Sequence, residues 1–154
     1  MNDGETGRGR TLFVVDDDPA IRRALARLAR AVGYGAETFG SAEEFLADPP
    51  SRDRQPGCIL LDVSLPGLSG PQLHHRLRNE GWEVPVIYVT AHDDPATREA
   101  IAETDAAATF AKPIEVAALL DMIGVLFERL ERSSETVRSD ASVPGRGPDT
   151  EGIS

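Results

Sequence analysis

Four aspartates in this sequence stand where carboxylates could act together. Asp16, Asp17 and Asp18 follow the apolar segment TLFVV, and Asp62 closes a second apolar segment, CILLD. Adjacent carboxylates repel each other unless a proton or a cation joins them, and carboxylate clusters favour divalent cations. Asp18 also precedes Pro19, which favours a role as a helix N-cap, and Asp62 alone could equally cap a loop. The three consecutive aspartates therefore favour a divalent-cation site at Asp16 and Asp17.

Two further polar residues, Thr90 and Lys112, also stand at the ends of apolar segments. Lys112 is the only lysine among sixteen cationic residues. Lysine carries a compact charge and arginine a broad planar fork, so a confined anionic pocket would retain the lysine. Alone, Thr90 could be an ordinary β-branched strand residue and Lys112 a surface charge. Their positions, taken together with Asp16, Asp17 and Asp62, are more specific than any one of them.

The segments that hold these residues alternate between apolar strand patterns and amphipathic helix patterns. The predicted strands are Thr11–Val15, Tyr34–Phe39, Cys58–Asp62, Val84–Thr90 and Ala108–Ala111. Predicted helices follow them and begin near Asp18, Ser41, Pro71, Asp94 and Pro113, the last ending near Leu130. Five βα units predict an α/β fold whose parallel sheet is covered by helices on both faces. Ligand sites in such sheets lie beyond the carboxyl ends of the strands, so the polar residues should converge there.

The composition excludes several classes of protein. The 154 residues are 40% hydrophobic and 27% charged, which is typical of one globular domain, and no apolar run is long enough to span a membrane. A net charge of −10 argues against nucleic-acid binding. The N-terminus lacks an apolar secretory segment and the single cysteine, Cys58, fits a reducing compartment, so we expect a cytoplasmic protein without membrane contact.

Both ends of the chain are polar and predict disordered tails over residues 1–10 and 131–154. One domain is expected over residues 11–130, and a stand-alone protein of this kind would act through protein contacts. The last predicted helix has an unusually wide apolar face, which indicates either a partner or homodimer surface or local packing. Its stripe comprises Val116, Leu119, Leu120, Ile123, Phe127 and Leu130, and Ala118, Met122, Val125 and Leu126 widen it.

The segments VVDDDP, LLDVSLPGLSG, VIYVTAH and FAKPI resemble, in order and spacing, the marker segments of the receiver domain of two-component response regulators. This CheY-like family, including receivers of the FixJ-like type, is matched over roughly residues 11–130. The resemblance implies a flavodoxin-like (βα)5 three-layer sandwich with the parallel strand order 2-1-3-4-5. It also implies that Asp62 accepts a phosphoryl group from a histidine kinase or a phosphotransfer protein, with Mg²⁺ as cofactor.

The resemblance further assigns roles by position. Asp17 would coordinate Mg²⁺ directly and Asp16 largely through water, while the acceptor carboxylate and the backbone carbonyl of Ser64 would complete the protein ligands. Lys112 would offset charge on the transferring phosphoryl group, and Thr90 would signal the phosphorylated state to the fourth and fifth elements.

The sequence departs from the family at two positions. Thr109 stands where an aromatic residue is usual, with Phe110 one place later, and Asp105 replaces a usual glycine. These changes should leave phosphorylation intact, but they leave open whether Thr90 signals by the usual route.

Two alternatives to a phosphoryl-accepting switch fit the sequence less well. A Mg²⁺-dependent phosphohydrolase with an aspartyl nucleophile needs a second carboxylate soon after it, but Val63, Ser64 and Leu65 follow Asp62. A degenerate receiver that serves only as a binding module would not need the full set of site residues. We expect a switch rather than an enzyme, although it would catalyse its own phosphoryl transfer and dephosphorylation.

Overall fold

The computed structural model describes residues 10–50 and 57–141. Its strands are β1 (Thr11–Val15), β2 (Gly35–Phe39), β3 (Gly57–Asp62), β4 (Val86–Thr90) and β5 (Ala108–Ala111). Its helices are α1 (Pro19–Ala31), α2 (Ala42–Ala47), α3 (Gly70–Asn79), α4 (Pro95–Ala102) and α5 (Val116–Ala141). Each predicted strand and helix is therefore confirmed as an element.

The five strands form one parallel sheet in the order β2-β1-β3-β4-β5, as the flavodoxin-like fold requires. All six residues of the central strand β3 are buried, which is typical of a parallel strand covered on both faces. The register aligns Val15 of β1 with Leu61 of β3, and Asp62 with Val89 of β4. The carboxyl ends of the three middle strands therefore reach the same edge of the sheet.

Alternate side chains of the strands enter two separate hydrophobic clusters. One cluster includes Phe13 and Tyr88 from the sheet and packs under α2 and α3. The other includes Leu12 and Cys58 and packs under α1 and α5. Cys58 is fully buried and belongs to the core, as predicted, and this burial raises the pKa of its thiol to about 12. The result is a three-layer sandwich with helices on both faces of the sheet.

Polar caps fix the helix starts beside the sheet edge. Asp18 lies before α1, and its carboxylate accepts a hydrogen bond from the Ala20 N–H at 2.9 Å. Helix α3 begins at Gly70, one residue before the predicted start. Ser69 and Gln72 form a reciprocal capping box there, and this box sets the earlier boundary.

Helix α5 differs from the prediction at both ends. It begins at Val116 rather than Pro113, and it continues to Ala141 rather than ending near Leu130. Residues 131–141 contain glutamate and arginine, which favour helices, and extending an existing helix needs no new nucleus. Helix α5 therefore includes the first part, residues 131–141, of the segment that was predicted to be a disordered tail. The remainder of the predicted tails, residues 1–9 and 142–154, lies outside the described residues.

Most of the wide apolar face of α5 packs locally. The α5 residues buried in the core are Leu119, Ile123, Leu126 and Phe127. Met122 packs against the same cluster, whereas Val116 and Val125 each remain 42% exposed. Val116 was predicted to face the core, but as the first residue of the helix it lies at the margin of the cluster. None of the helices in the described ranges, α5 included, is apolar enough over sufficient length to cross a bilayer.

Candidate functional site

The carboxyl ends of β1 and β3 carry two buried carboxylates. Asp16 follows β1 and is 3% exposed, and Asp62 ends β3 and is 5% exposed. The Asp16 N–H donates to the Phe39 carbonyl of β2 at 3.1 Å, which fixes its backbone to the sheet. The parallel register then brings the two side chains together at the sheet edge, as the strand pattern predicts.

Asp17 completes an acidic cluster with these two residues. One carboxylate oxygen from each of Asp16, Asp17 and Asp62 lies within 4.8 Å of the others. Asp17 is exposed, so the cluster opens to solvent on that side. Three carboxylates with this spacing suit a small, hard divalent cation that keeps part of its water shell.

Lys112 supplies the positive charge of this cluster. Its Nζ donates to Asp16 Oδ2 at 3.0 Å and to Asp62 Oδ2 at 3.3 Å. The backbone N–H of Lys112 donates to the Thr90 carbonyl at 2.9 Å, which extends the pairing of β4 and β5 as far as the lysine. One ammonium against three carboxylates leaves the cluster negative, so its charge also fits a divalent cation.

The environment shifts the pKa values of the central pair upward. Burial raises the pKa of Asp62, and the Asp16 carboxylate raises it further, while Lys112 and the Ser64 N–H oppose the change. Burial alone would lower the pKa of Lys112, but its hydrogen bonds and charge interactions with Asp16 and Asp62 outweigh burial and raise it. A second cation at the cluster would therefore favour the ionised, nucleophilic form of Asp62.

The turn after Asp62 holds its carboxylate in place. The Ser64 backbone N–H donates to Asp62 Oδ1 at 3.1 Å, so this N–H group and the Lys112 ammonium contact different oxygens of the Asp62 carboxylate. The Gly70 N–H closes the turn on the Val63 carbonyl at 3.0 Å. A Cβ atom at position 70 would overlap the Asp62 carbonyl and crowd the Val63 Cα, so the turn requires glycine. Gly70 was not among the residues predicted to belong to the site, although it ends the LPGLSG segment.

Thr90 lies at the same edge, at the end of β4, and is 6% exposed. Its hydroxyl donates to the His92 carbonyl at 3.1 Å and accepts from the His92 N–H at 2.9 Å. The hydroxyl is therefore engaged with the turn after β4. The structure brings Asp16, Asp17, Asp62 and Lys112 together and places Thr90 beside them through the β4–β5 pairing.

Comparison with known proteins identifies the family of domains that carries this cluster at the carboxyl edge of the sheet. The family model of the response regulator receiver domain matches residues 12–124, which include the whole acidic cluster and Lys112. The chain belongs to this receiver-domain family.

Full-length relatives of the receiver extend well beyond it. Nodulation protein W of Bradyrhizobium diazoefficiens is 36% identical over 133 residues, which cover 86% of this chain and 57% of that protein. Transcriptional regulatory protein FixJ of Azorhizobium caulinodans is 37% identical over 130 residues, which cover 84% and 59%. A crystal structure of FixJ-N is 28% identical with a TM-score of 0.68, covering 77% of this chain and 94% of that one. The receiver thus spans about half the length of its curated relatives.

A second polar cluster in the receiver was not predicted. His74 of α3 is 1% exposed, and its Nδ1 and Nε2 lie 2.8 Å from the Tyr88 hydroxyl and from Asp105 Oδ1. Arg78 Nε donates to both Asp105 oxygens at 3.1 and 3.0 Å. Burial lowers the pKa of His74 and the Arg78 charge lowers it further, while the hydrogen bond and the charge of Asp105 oppose the change, so the net shift favours the neutral ring. Nε2–H then donates to Asp105, and Nδ1 accepts from Tyr88.

This cluster gives a structural role to one of the two departures from the family pattern. Asp105, in the connection from α4 to β5, joins that connection to α3 through His74 and Arg78. Glycine at this position could not make either contact. A sequence signal existed in Asp105 itself, but its partners on α3 could not be identified before the fold was known.

Proposed function

We propose that this receiver accepts a phosphoryl group on Asp62 from a histidine kinase or a phosphotransfer protein. The observation that supports this function is the convergence of three carboxylates with the single lysine, whose Nζ lies 3.0 and 3.3 Å from Asp16 and Asp62. Receiver domains as a class interact with such phosphodonor proteins. The phosphorylated chain would signal through contacts with a downstream protein.

In the proposed step, a carboxylate oxygen of Asp62 attacks the phosphorus of a phosphohistidine. The P–O bond forms as the P–N bond breaks, and the imidazole keeps the electron pair and takes up a proton. Lys112 offsets the negative charge of the acceptor carboxylate and then of the phosphoryl oxygens. The Ser64 N–H holds the other carboxylate oxygen during the approach of the donor.

The acidic cluster fits Mg²⁺ as the cofactor. We propose that Asp17 would hold the ion directly, Asp16 largely through water, and Asp62 and the Ser64 backbone carbonyl would complete the protein ligands. When bound, the ion would neutralise phosphoryl oxygens beyond the reach of Lys112. Asp16 would also keep Lys112 oriented through its 3.0 Å contact.

Thr90 is proposed to sense the phosphorylated state. To contact a phosphoryl oxygen, its hydroxyl would have to exchange its two hydrogen bonds with the His92 backbone. That exchange would release the turn after β4, which leads directly into α4. Because Thr109 replaces the usual aromatic residue, we infer that the response moves this turn rather than an aromatic ring of β5.

Several finer features of this function rest on the sequence. A net charge of −10 disfavours nucleic-acid contact by the receiver itself, although FixJ is named a transcriptional regulator. Homodimer formation through the last helices would depend on Val116 and Val125, which α5 leaves exposed. A cytoplasmic location stays a prediction from the single cysteine.

A phosphohydrolase with an aspartyl nucleophile remains disfavoured as the alternative function, because none of the three residues after Asp62 is an acid.

The decisive experiment is intact-mass spectrometry after incubation with Mg²⁺ and acetyl phosphate. The wild type should gain the mass of one phosphoryl group, and Asp62→Asn should gain none because an amide cannot form the acyl phosphate. Asp121→Asn, an exposed change on α5, is the matched control and should label like the wild type. Full labelling of Asp62→Asn would remove Asp62 as the acceptor.

A further inference from the structure

Helix α1 carries a strongly basic surface that the proposed phosphorylation chemistry does not use. Four of its thirteen residues are arginines and none is acidic, in a chain whose net charge is −10. These residues are Arg22, Arg23, Arg27 and Arg30. Arginines spaced three or four residues apart on a helix repel each other, so the helix itself gains no stability from this arrangement.

The arginines line a cavity of about 520 Å³ between α1 and the edge strand β2. At one end, Arg22 Nη1 donates to the Asp16 carbonyl at 2.7 Å, and at the other, Arg30 Nη2 donates to the Ala36 carbonyl at 3.2 Å. The rest of the lining comes from Pro19, Ala26 and Thr38. We call this cavity and its four arginines the arginine groove.

The middle of the arginine groove is exposed and unneutralised. Arg23 and Arg27 are exposed, and within the part of the chain that the structure describes they form no hydrogen bond or ion pair. Two exposed arginines elsewhere are paired with acids: Arg98 contacts Asp93 at 2.9 Å, and Arg76 lies 3.8 Å from Glu80. The groove therefore presents positive charge that the fold itself leaves available.

We propose that the arginine groove binds an extended acidic segment of a partner protein. Guanidinium forks pair with carboxylates through two parallel hydrogen bonds, which makes arginine the cation suited to this partner. Arg23 and Arg27 are separated by about 6 Å along the helix axis. Side chains two residues apart on one face of an extended chain are separated by about 7 Å, so alternating acidic residues would match this spacing.

Two other anionic partners fit the groove less well. A nucleic acid would extend beyond the four arginines onto a surface whose overall charge is strongly negative. Small-molecule sites enclose most of their ligand, whereas four of the seven residues that line this cavity are arginines and three of those arginines are exposed. A flexible acidic peptide can follow the row of arginines along the groove and leave the groove at either end.

The test uses the full chain and a fluorescein-labelled peptide of alternating glutamate and serine, with binding followed by fluorescence anisotropy. The triple variant Arg23→Gln, Arg27→Gln, Arg30→Gln should bind the peptide about tenfold or more weakly. Each arginine that is replaced removes one charge-assisted hydrogen bond to a carboxylate of the peptide. The control triple Arg76→Gln, Arg129→Gln, Arg132→Gln removes the same charge from other exposed positions and should bind like the wild type. Circular dichroism checks that both variants are folded.

Equal weakening in both triple variants would overturn the proposal, because only overall charge would then matter. Tighter binding of a DNA duplex or of inorganic pyrophosphate than of the peptide would also overturn it, in favour of a phosphate-bearing ligand. Both triple variants should still accept phosphate from acetyl phosphate, since none of the altered residues belongs to the acidic cluster. This last measurement separates a failure of the groove from a failure of the phosphorylation site.

Discussion

Lys112 and Asp62 are separated by 50 positions in the sequence, yet the Lys112 Nζ lies 3.3 Å from Asp62 Oδ2. The same ammonium lies 3.0 Å from Asp16 Oδ2, so one compact cation serves two buried carboxylates. Arginine would preserve the charge at this position while changing its shape, because its planar fork is broader than an ammonium. The shape of the cation can therefore be tested separately from its charge.

Lys112→Arg should still accept some phosphate but fail to switch, because the guanidinium must either displace the phosphoryl group or point away from it. The measurement compares amide chemical shifts with and without beryllofluoride, a phosphate mimic, in the presence of Mg²⁺. Wild-type shift changes should spread through residues 90–110 and be lost in the variant. Arg129→Lys, an exposed substitution, is the control and should change stability by less than about 0.5 kcal/mol. The same spread of shifts in Lys112→Arg would refute a role for the lysine in switching.

Asp17→Ala should weaken Mg²⁺ binding about tenfold or more, because it removes one of few charged ligands from the site. The adjacent Asp18→Ala is a matched control, since its carboxylate caps α1 instead. That variant should lose about 1 kcal/mol of stability and keep its affinity for the ion. Titration calorimetry measures the affinities and urea unfolding the stabilities. Wild-type affinity in Asp17→Ala would contradict the proposed ligand set.

Gly70→Ala should cost about 1 to 3 kcal/mol of stability and slow phosphorylation, because the new Cβ would push against the Asp62 carbonyl. Gly124→Ala makes the same chemical change at a position where it should increase stability. A Cβ there would have its nearest neighbour at 4.0 Å, the Tyr34 hydroxyl, so this helix position should gain about 0.5 to 1 kcal/mol. Urea unfolding and acetyl phosphate labelling of both variants provide the comparison. Similar stability in the two would show that the turn after Asp62 tolerates a side chain.

The buried His74 should make stability depend on pH. Because burial lowers its pKa below the ordinary value of 6.5, the unfolded chain takes up a proton before the native protein does. The contribution of His74 to the free energy of unfolding is therefore fully present above the ordinary histidine pKa. It is lost as the pH falls through the lower pKa of native His74. His74→Gln should remove this decline and cost about 1 to 3 kcal/mol at neutral pH, because Tyr88 and Asp105 each lose the hydrogen bond to His74.

The exposed neighbour His75 gives the control for this pH dependence. Urea unfolding is measured on both sides of the ordinary histidine pKa for the wild type, His74→Gln and His75→Gln. His75→Gln should retain the decline of the wild type toward low pH. An unchanged decline in His74→Gln would show that other groups are responsible for it.

The features that could be predicted from the sequence are those with a local cause. Continuous apolar runs identified β1, β3 and β4, and crossover helices implied that the ends of β1 and β3 share one edge, which brought Asp16 and Asp62 together. The position of Lys112 after β5 followed from the same argument. The strand order itself came from the resemblance to a known family, because local patterns do not determine which strands pair.

The features that were missed depend on distant contacts or on weak preferences. His74 lies within a helix pattern, and nothing local to it indicates that Asp105 will reach it from the connection before β5. The end of α5 was placed too early because burial was the criterion, whereas residues 131–141 continue the helix without many apolar side chains. The exposure of Val116 likewise depends on where the core ends, which periodicity alone cannot locate.

The burial of Cys58 provides an experimental handle on the central strand. Its thiol lies on β3, the strand that ends at Asp62, and a pKa of about 12 makes the native thiol unreactive toward alkylating reagents. Modification therefore requires the strand to open, so the labelling rate at a fixed pH reports the free energy of that opening. Comparing this rate with and without Mg²⁺ or beryllofluoride would show how strongly each ligand stabilises the strand that ends at Asp62.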